Sequence, residues 1–271
     1  MTEQPLVLYE VADNVATIIL NRPERLNAWT PELGVAYHDL LERAGADPGV
    51  KAIVVTGAGR GFCSGADIGD LEEIKPGRHP EIIDSRNHTF VRSIPKPVIA
   101  AINGPAAGMG LMLAAMCDIR FAAAGAKLTT AFARRGLIAE HGLSWLLARM
   151  LGPAAALDLL LSGRVIVAED ALELGLVNRV LPADDVLAGA HEYARDLALH
   201  CSPTSMAVIK QQVLDDLDRS LAQSYAVADA EMIASLDRPD LSEGVASFVE
   251  RRPPRFVGLA VAANDRPHRA D

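Results

Sequence analysis

The sequence predicts an α/β fold in which a layered core of strands and helices is followed by a helical region, and three observations carry that expectation. Short runs dense in Val, Ile and Ala recur through the first half in repeated strand, turn and helix units. After Pro153 helical spacing dominates the apolar positions. Half of the 271 residues are hydrophobic, which is enough to fill a large core.

Residues 6–11 and 15–20, separated by Ala12-Asp13-Asn14, predict a hairpin, after which the chain turns at Asn21-Arg22-Pro23. Thr30 before Pro31 supplies an N-cap and a pre-set first helical position, so a helix is expected to about Ala46, where Asp47-Pro48-Gly49 stops it. Residues 52–56 read as a buried strand. The polar stretch 75–80 is expected to be mobile, and 82–94 to be helical. Residues 97–102 predict another buried strand, 108–116 a short apolar helix, and 119–123 a further strand. Helices are expected over 154–161, 168–174, 184–199, 203–217, 221–236 and 242–250, so the last third is read as helical, without a second sheet. This divides the chain into a core over 1–200 and a helical region over 201–271.

A formal net charge of −9 argues against a nucleic-acid partner, because neutralising phosphates requires clustered Lys and Arg. Cys63, Cys117 and Cys201 have no metal-ligand spacing and read as reduced thiols. The start Met1-Thr2-Glu3-Gln4-Pro5 lacks a signal-peptide pattern, and no uncharged apolar run approaches roughly 18 residues, so a soluble cytoplasmic protein without membrane contact is expected.

Two segments carry the chemistry. Gly61-Phe62-Cys63-Ser64-Gly65-Ala66-Asp67-Ile68 and Ile102-Asn103-Gly104-Pro105-Ala106-Ala107-Gly108-Met109-Gly110 each follow an apolar strand. Small residues let the backbone approach a carbonyl closely, and a turn that opens a helix leaves N–H groups unpaired. Two such groups can hold one enolate oxygen, as in an oxyanion hole. Gly57-Ala58-Gly59-Arg60-Gly61 is no dinucleotide turn: the next helix begins too late, and the strand is not the first of a βαβ unit.

Taken in order, Asn21 to Ala28, Gly61 to Ile68, Ile102 to Asp118 and Glu243 to Arg252 resemble the crotonase family, also called the enoyl-CoA hydratase/isomerase family, over nearly the whole chain. The resemblance implies a crotonase-like spiral of ββα units, C-terminal helices that build a homotrimer or a dimer of trimers and form a lid on CoA, and acyl-CoA or enoyl-CoA thioesters as ligands. It places the oxyanion amides on Ala66 and Met109; read without it, Ala66 is a tight-turn residue and Met109 a core filler. The family usually has Gly at position 109, but the donor is the backbone N–H. The resemblance also sets Arg25, Leu26 and Ala28 beside Ala66, Asp67 and Ile68 along the CoA groove, adds Gly108 and Phe248, and offers Arg251, Arg252 and Arg255 to the nucleotide phosphates, where a guanidinium fits. The bland reading of those arginines is a solvated basic tail.

The departure from the family lies at two positions where a typical hydratase carries glutamates and this chain carries Met112 and Phe132. Neither side chain transfers a proton, so hydration by two glutamates cannot operate here. Glu140 remains, placed like the working aspartate of the family's dienoyl-CoA isomerases and of a thioester dehalogenase. It is expected to be the single acid/base, or else a cap on the helix expected from His141 or Gly142 through Met150. His141 beside it is positioned to tune or relay a proton. A single base fits double-bond migration better than water addition. The alternative is an acyl-CoA-binding protein without catalysis, walled by Met112 and Phe132. No metal and no tightly bound cofactor are expected, coenzyme A entering as part of the substrate.

Overall fold

The structure is a computed structural model that describes residues 4–69, 84 and 86–259. Strands β1 (Val7–Ala12) and β2 (Val15–Leu20) form the expected hairpin, with β1 reaching one residue further so that Asp13 and Asn14 alone make the turn. Both have positive φ, 51° and 61°, the conformation that a two-residue turn needs to match strand twist. Helix α1 (Pro31–Ala46) starts where Thr30 and Pro31 predict: the Thr30 side chain accepts from the Leu33 amide at 3.3 Å. Its buried face carries Leu33, Tyr37, His38, Leu41 and Ala44, the spacing of one helical stripe.

Strands β3 (Ala52–Gly57), β4 (Val98–Ile102) and β6 (Ile119–Ala123) follow β2 in parallel, and β9 (Arg179–Leu181) closes the sheet in the order β1-β2-β3-β4-β6-β9. Every residue of β3 and β4 is buried, as a parallel sheet covered on both faces demands. A second sheet of three short strands joins β5 (Ala106–Ala107), β7 (Lys127–Thr129) and β8 (Ile166–Val167). Helix α2 (Met109–Met116) is buried from its second residue on.

Helices α3 (Leu143–Leu151), α4 (Pro153–Ser162) and α5 (Ala168–Glu173) lead to α6 (Val186–His200), which lays Val186, Ala190, Ala194 and Ala198 across β3, β4 and β6. Strands β8 and β9 therefore correct the expectation that no sheet forms after Pro153. Helices α7 (Pro203–Asp215), α8 (Leu221–Leu236) and α9 (Pro239–Glu250) complete the chain. They leave Leu221, Tyr225, Ile233, Val245, Phe248 and Val249 exposed. Lys210 of α7 ties them to the core, its Nζ donating to Asp118 Oδ2 at 2.7 Å and to the Lys96 carbonyl at 3.2 Å.

The 75–80 stretch lies outside the described residues. Of the helix expected over 82–94, the described end is a 3-10 helix, His88–Ser93. Among the described residues no helix is long and apolar enough to cross a membrane.

Candidate active site

Beyond the C-terminal ends of β3 and β4 the backbone folds into two turns that touch. The first runs from Gly57 to Asp67. It is pinned to the segment after β2: the Ser64 amide donates to the Leu26 carbonyl at 3.0 Å, Trp29 N–H to Gly65 at 2.7 Å, and Asp67 N–H to Trp29 at 2.9 Å. The Trp29 backbone thus brackets Ala66 on both sides. Arg22 completes the brace, its Nη2 lying 2.9 Å from Asp67 Oδ2 and its Nη1 donating to the Ala28 carbonyl at 2.7 Å. A backbone hydrogen bond from Gly69, reinforced by one from Arg22, holds the Asp67 carboxyl below its ordinary pKa.

The second turn is β5 together with the start of α2. The Ala107 amide donates to the Cys63 carbonyl at 3.0 Å, so the two turns are hydrogen-bonded to each other. Gly65, at φ +102°, sits at the contact: a Cβ there would lie 3.0 Å from the Ala107 carbonyl oxygen and 3.9 Å from the Met109 nitrogen. Only glycine takes that φ without strain. A Cβ on Gly110 would overlap the Cys63 carbonyl, so the first turn of α2 is pressed against the first loop. Among the described residues, neither the Ala66 nor the Met109 amide donates a backbone hydrogen bond. Met109 opens a helix, whose first amides have no partner within it. Two unpaired N–H groups therefore stand on two touching turns, with Ala66 exposed and Met109 half-buried.

Met112 and Phe132 come to the same place. The Met112 amide donates to the Gly108 carbonyl at 3.0 Å, and the Phe132 ring lies 3.9 Å from where a Cβ on Gly108 would stand. Both side chains are buried and neither titrates. Arg25, Leu26 and Ala28 also join the first turn: the Ser64 hydroxyl donates to the Arg25 carbonyl, and Leu26 takes a left-handed φ of 51°. Ile68 is exposed at its edge.

Glu140 and His141 precede α3 as a pair, with His141 Nε2 3.8 Å from Glu140 Oε2 and about a third of each side chain exposed. Glu140 does not cap α3. The helix starts at Leu143, the N-cap is Gly142 without a side-chain bond, and it is the Glu140 carbonyl that accepts from Leu143. The carboxylates of Asp67 and Asp84 are engaged, by Arg22 and by His38 with Arg86 respectively.

A ring cluster that sequence reasoning missed links the turns to this pair. The His88 ring lies 5.4 Å from Trp29, 5.6 Å from His38 and 4.3 Å from His141, centroid to centroid. His38 Nδ1 bonds Asp84 Oδ2 at 2.9 Å. Burial, with His141 and His38 nearby, lowers the His88 pKa to about 3. Burial also lowers those of His141 and His38, opposed by Glu140 and by Asp84 respectively. In all three, burial favours the neutral imidazole. Among the described residues no group of three or more His, Cys, Asp and Glu is arranged to hold a metal ion.

Phe248 and Arg252 are not brought to the turns within one chain. Phe248 is exposed and lines a cavity of about 470 Å³ among α7, α8 and α9, together with Arg238, Val245 and Phe256. Arg252 is held by Glu243 at 2.6 and 3.0 Å and by Glu250 at 2.6 Å. The chain beyond it runs to the opposite end of β3, where the Phe256 carbonyl accepts from Lys51 at 2.9 Å, roughly 20 Å of strand away from the turns.

A parallel sheet that delivers paired amide-bearing turns, followed by a helical C-terminal region, defines a crotonase-fold protein. The chain belongs to the enoyl-CoA hydratase/isomerase family, whose model matches residues 10–259. It is 36% identical over 260 residues to the 1,2-epoxyphenylacetyl-CoA isomerase of Escherichia coli, covering 93% of this chain and 98% of that protein. Among solved structures it is similar to an enoyl-CoA hydratase of Mycobacterium marinum, at 52% identity and TM-score 0.69 over 80% of this chain and all of the other. It is also similar to an enoyl-CoA hydratase of Polaromonas, at 33% identity and TM-score 0.86 over 92% of this chain and 99% of the other.

Proposed function

We propose that this chain binds acyl-CoA and enoyl-CoA thioesters with the thioester oxygen between the Ala66 and Met109 amides, and that Glu140 moves a proton along the acyl chain to shift a double bond. The observation that carries the reading is that, among the described residues, these two amides have no hydrogen-bond partner, on turns that touch at Gly65. Amides fixed by the fold stabilise developing enolate charge without reorganising, which is commonly the largest catalytic contribution in such chemistry. The Glu140 carboxylate removes a proton from the carbon next to the thioester or from the conjugated position, and returns it at the other. Neither Met112 nor Phe132, both buried, supplies a carboxylate to activate water. Arg25, Leu26, Ala28, Asp67, Ile68 and Gly108 form the groove for the CoA moiety. No tightly bound cofactor takes part, and the protein acts in the cytoplasm.

Burial of both Met112 and Phe132 favours one second reading, an acyl-CoA-binding protein in which they wall an inert acyl chain. Assay of a 3-enoyl-CoA and a 2-enoyl-CoA series separates the two. Conversion of the 3-enoyl to the 2-enoyl isomer, with no oxygen taken from labelled water, is the expected result. A protein that binds both series and turns over neither overturns the isomerase reading in favour of binding.

The exposed apolar residues of α8 and α9 support assembly into a homotrimer or a dimer of trimers. A monodisperse monomer by light scattering at micromolar concentration would contradict it.

A further inference from the structure

We infer that His88 is a positioning residue, a wedge between Trp29 and His141 that sets the spacing between the Ala66 amide and the Glu140–His141 pair. The inference rests on the acid/base reading of Glu140. Trp29 is fixed to the first turn through its own backbone, so its indole reports where Ala66 stands. Gly34 of α1 makes room for that indole, since a Cβ there would come within 2.9 Å of it. The His88 ring meets both Trp29 and His141 nearly edge to face, at interplanar angles of 78° and 85°. His141 is held at φ +53°, a left-handed conformation that a non-glycine side chain keeps only where its surroundings impose it. The His88 ring is the ring that packs against it, 4.3 Å away centroid to centroid.

The wedge itself has a fixed base. His38, behind it, is anchored to Asp84, and Arg86 locks Asp84 through its Nε at 2.9 Å while bonding Asp39 of α1 at 2.6 Å. Among the described residues the His88 ring makes no hydrogen bond, and its buried Nδ1 has no partner. No hydrogen bond joins the three imidazoles either, so the ladder from His38 through His88 to His141 transmits position and not protons. The useful property of His88 is therefore the flat ring, which phenylalanine shares.

The test follows exchange of the α-protons of 3-hexenoyl-CoA for deuterium in D₂O by proton NMR, with the Kd for hexanoyl-CoA measured alongside by calorimetry. His88→Ala is expected to slow exchange about 10- to 100-fold with Kd changed less than about threefold, because misplacing a reacting group by about 1 Å costs up to roughly that factor. His88→Phe is expected to recover most of the loss. Should His88→Ala fail to fold, His88→Leu carries the same comparison. The inference is overturned if the truncated variant exchanges like wild type, if His88→Phe falls as far as the truncation, or if both lose hexanoyl-CoA binding. Wild-type exchange no faster than that of Glu140→Gln overturns the acid/base reading, and this inference with it. An impaired Glu140→Gln beside an unimpaired His88→Ala overturns this inference alone.

Discussion

The two halves of the candidate site are built on opposite plans. On the sheet side, from Gly57 to Met116, the groups offered to a ligand are backbone amides, held by hydrogen bonds between two turns and by glycines that admit no Cβ. On the other side, from Phe132 to Gly142, the candidate group is a side chain on a partly exposed segment that takes left-handed φ at His141 and Gly142. The difference is one of tolerance. A backbone donor survives a change of its own side chain, which is why Met109 can stand where the resemblance leads one to expect glycine. A carboxylate base survives nothing but another acid in the same place. Changes of chemistry on this fold are therefore expected at side-chain positions such as Met112, Phe132 and Glu140, while the two amide-bearing turns stay geometrically fixed.

Substitution tests that contrast sharply. Glu140→Gln keeps size and hydrogen bonding while removing proton transfer, so turnover should fall by about 10²–10⁴-fold with thioester affinity nearly unchanged. Met109→Ala, which leaves the amide in place, should alter turnover less than about threefold; steady-state kinetics on both variants would break the contrast if the two fell alike. Gly110→Ala attacks the backbone half where its side-chain position is occupied by the Cys63 carbonyl. Displacing the Met109 amide should cost roughly 10²–10³-fold in turnover, the loss typical of one oxyanion donor.

Smaller effects fall on stability. Thr30→Ala removes the α1 N-cap bond and should lower stability by about 1 kcal/mol, read as a melting temperature lower by roughly 2–4 °C. Burial, with His141 and His38 adding to it, holds the folded-state pKa of His88 near 3 against an ordinary 6.5, so between those values the unfolded chain binds more protons than the fold. Stability from this residue is complete above pH 6.5 and is lost as pH falls toward 3. Melting curves over that range should show a shallower acid slope for His88→Phe than for wild type.

Much of the first half was legible because its signals are local. Thr30 and Pro31 mark the start of α1 by chemistry that needs no tertiary context, and the β-branched apolar run 52–56 closing on Gly57 reads as a buried strand. The strands of two or three residues escaped notice because a period of two cannot be read from so few positions. The Ala66 and Met109 segments were legible as turns with small residues, and the structure joins them. The ring cluster was not legible, since Trp29, His38, His88 and His141 lie far apart in the chain and meet only through the fold. One signal did exist: the spacing Leu33, Tyr37, His38, Leu41 places a histidine on the buried stripe of α1. Phe248 and Arg252 were assigned by resemblance alone, and in a single chain they face other partners.

The tie between Lys210 and Asp118 also has a place in time. Asp118 accepts from the Val98 amide, 20 residues before it, at 2.8 Å, beside the pairing of β4 with β6. Its cationic partner emerges 92 residues later, roughly 5 to 20 s afterwards at ordinary rates of synthesis. For that interval the half-made sheet must keep its carboxylate hydrated or hydrogen-bonded without its counter-charge. The C-terminal helices are thus a clasp that shuts on a finished box, and a ribosome stalled before Lys210 would release a chain with its sheet laid down and the clasp still open.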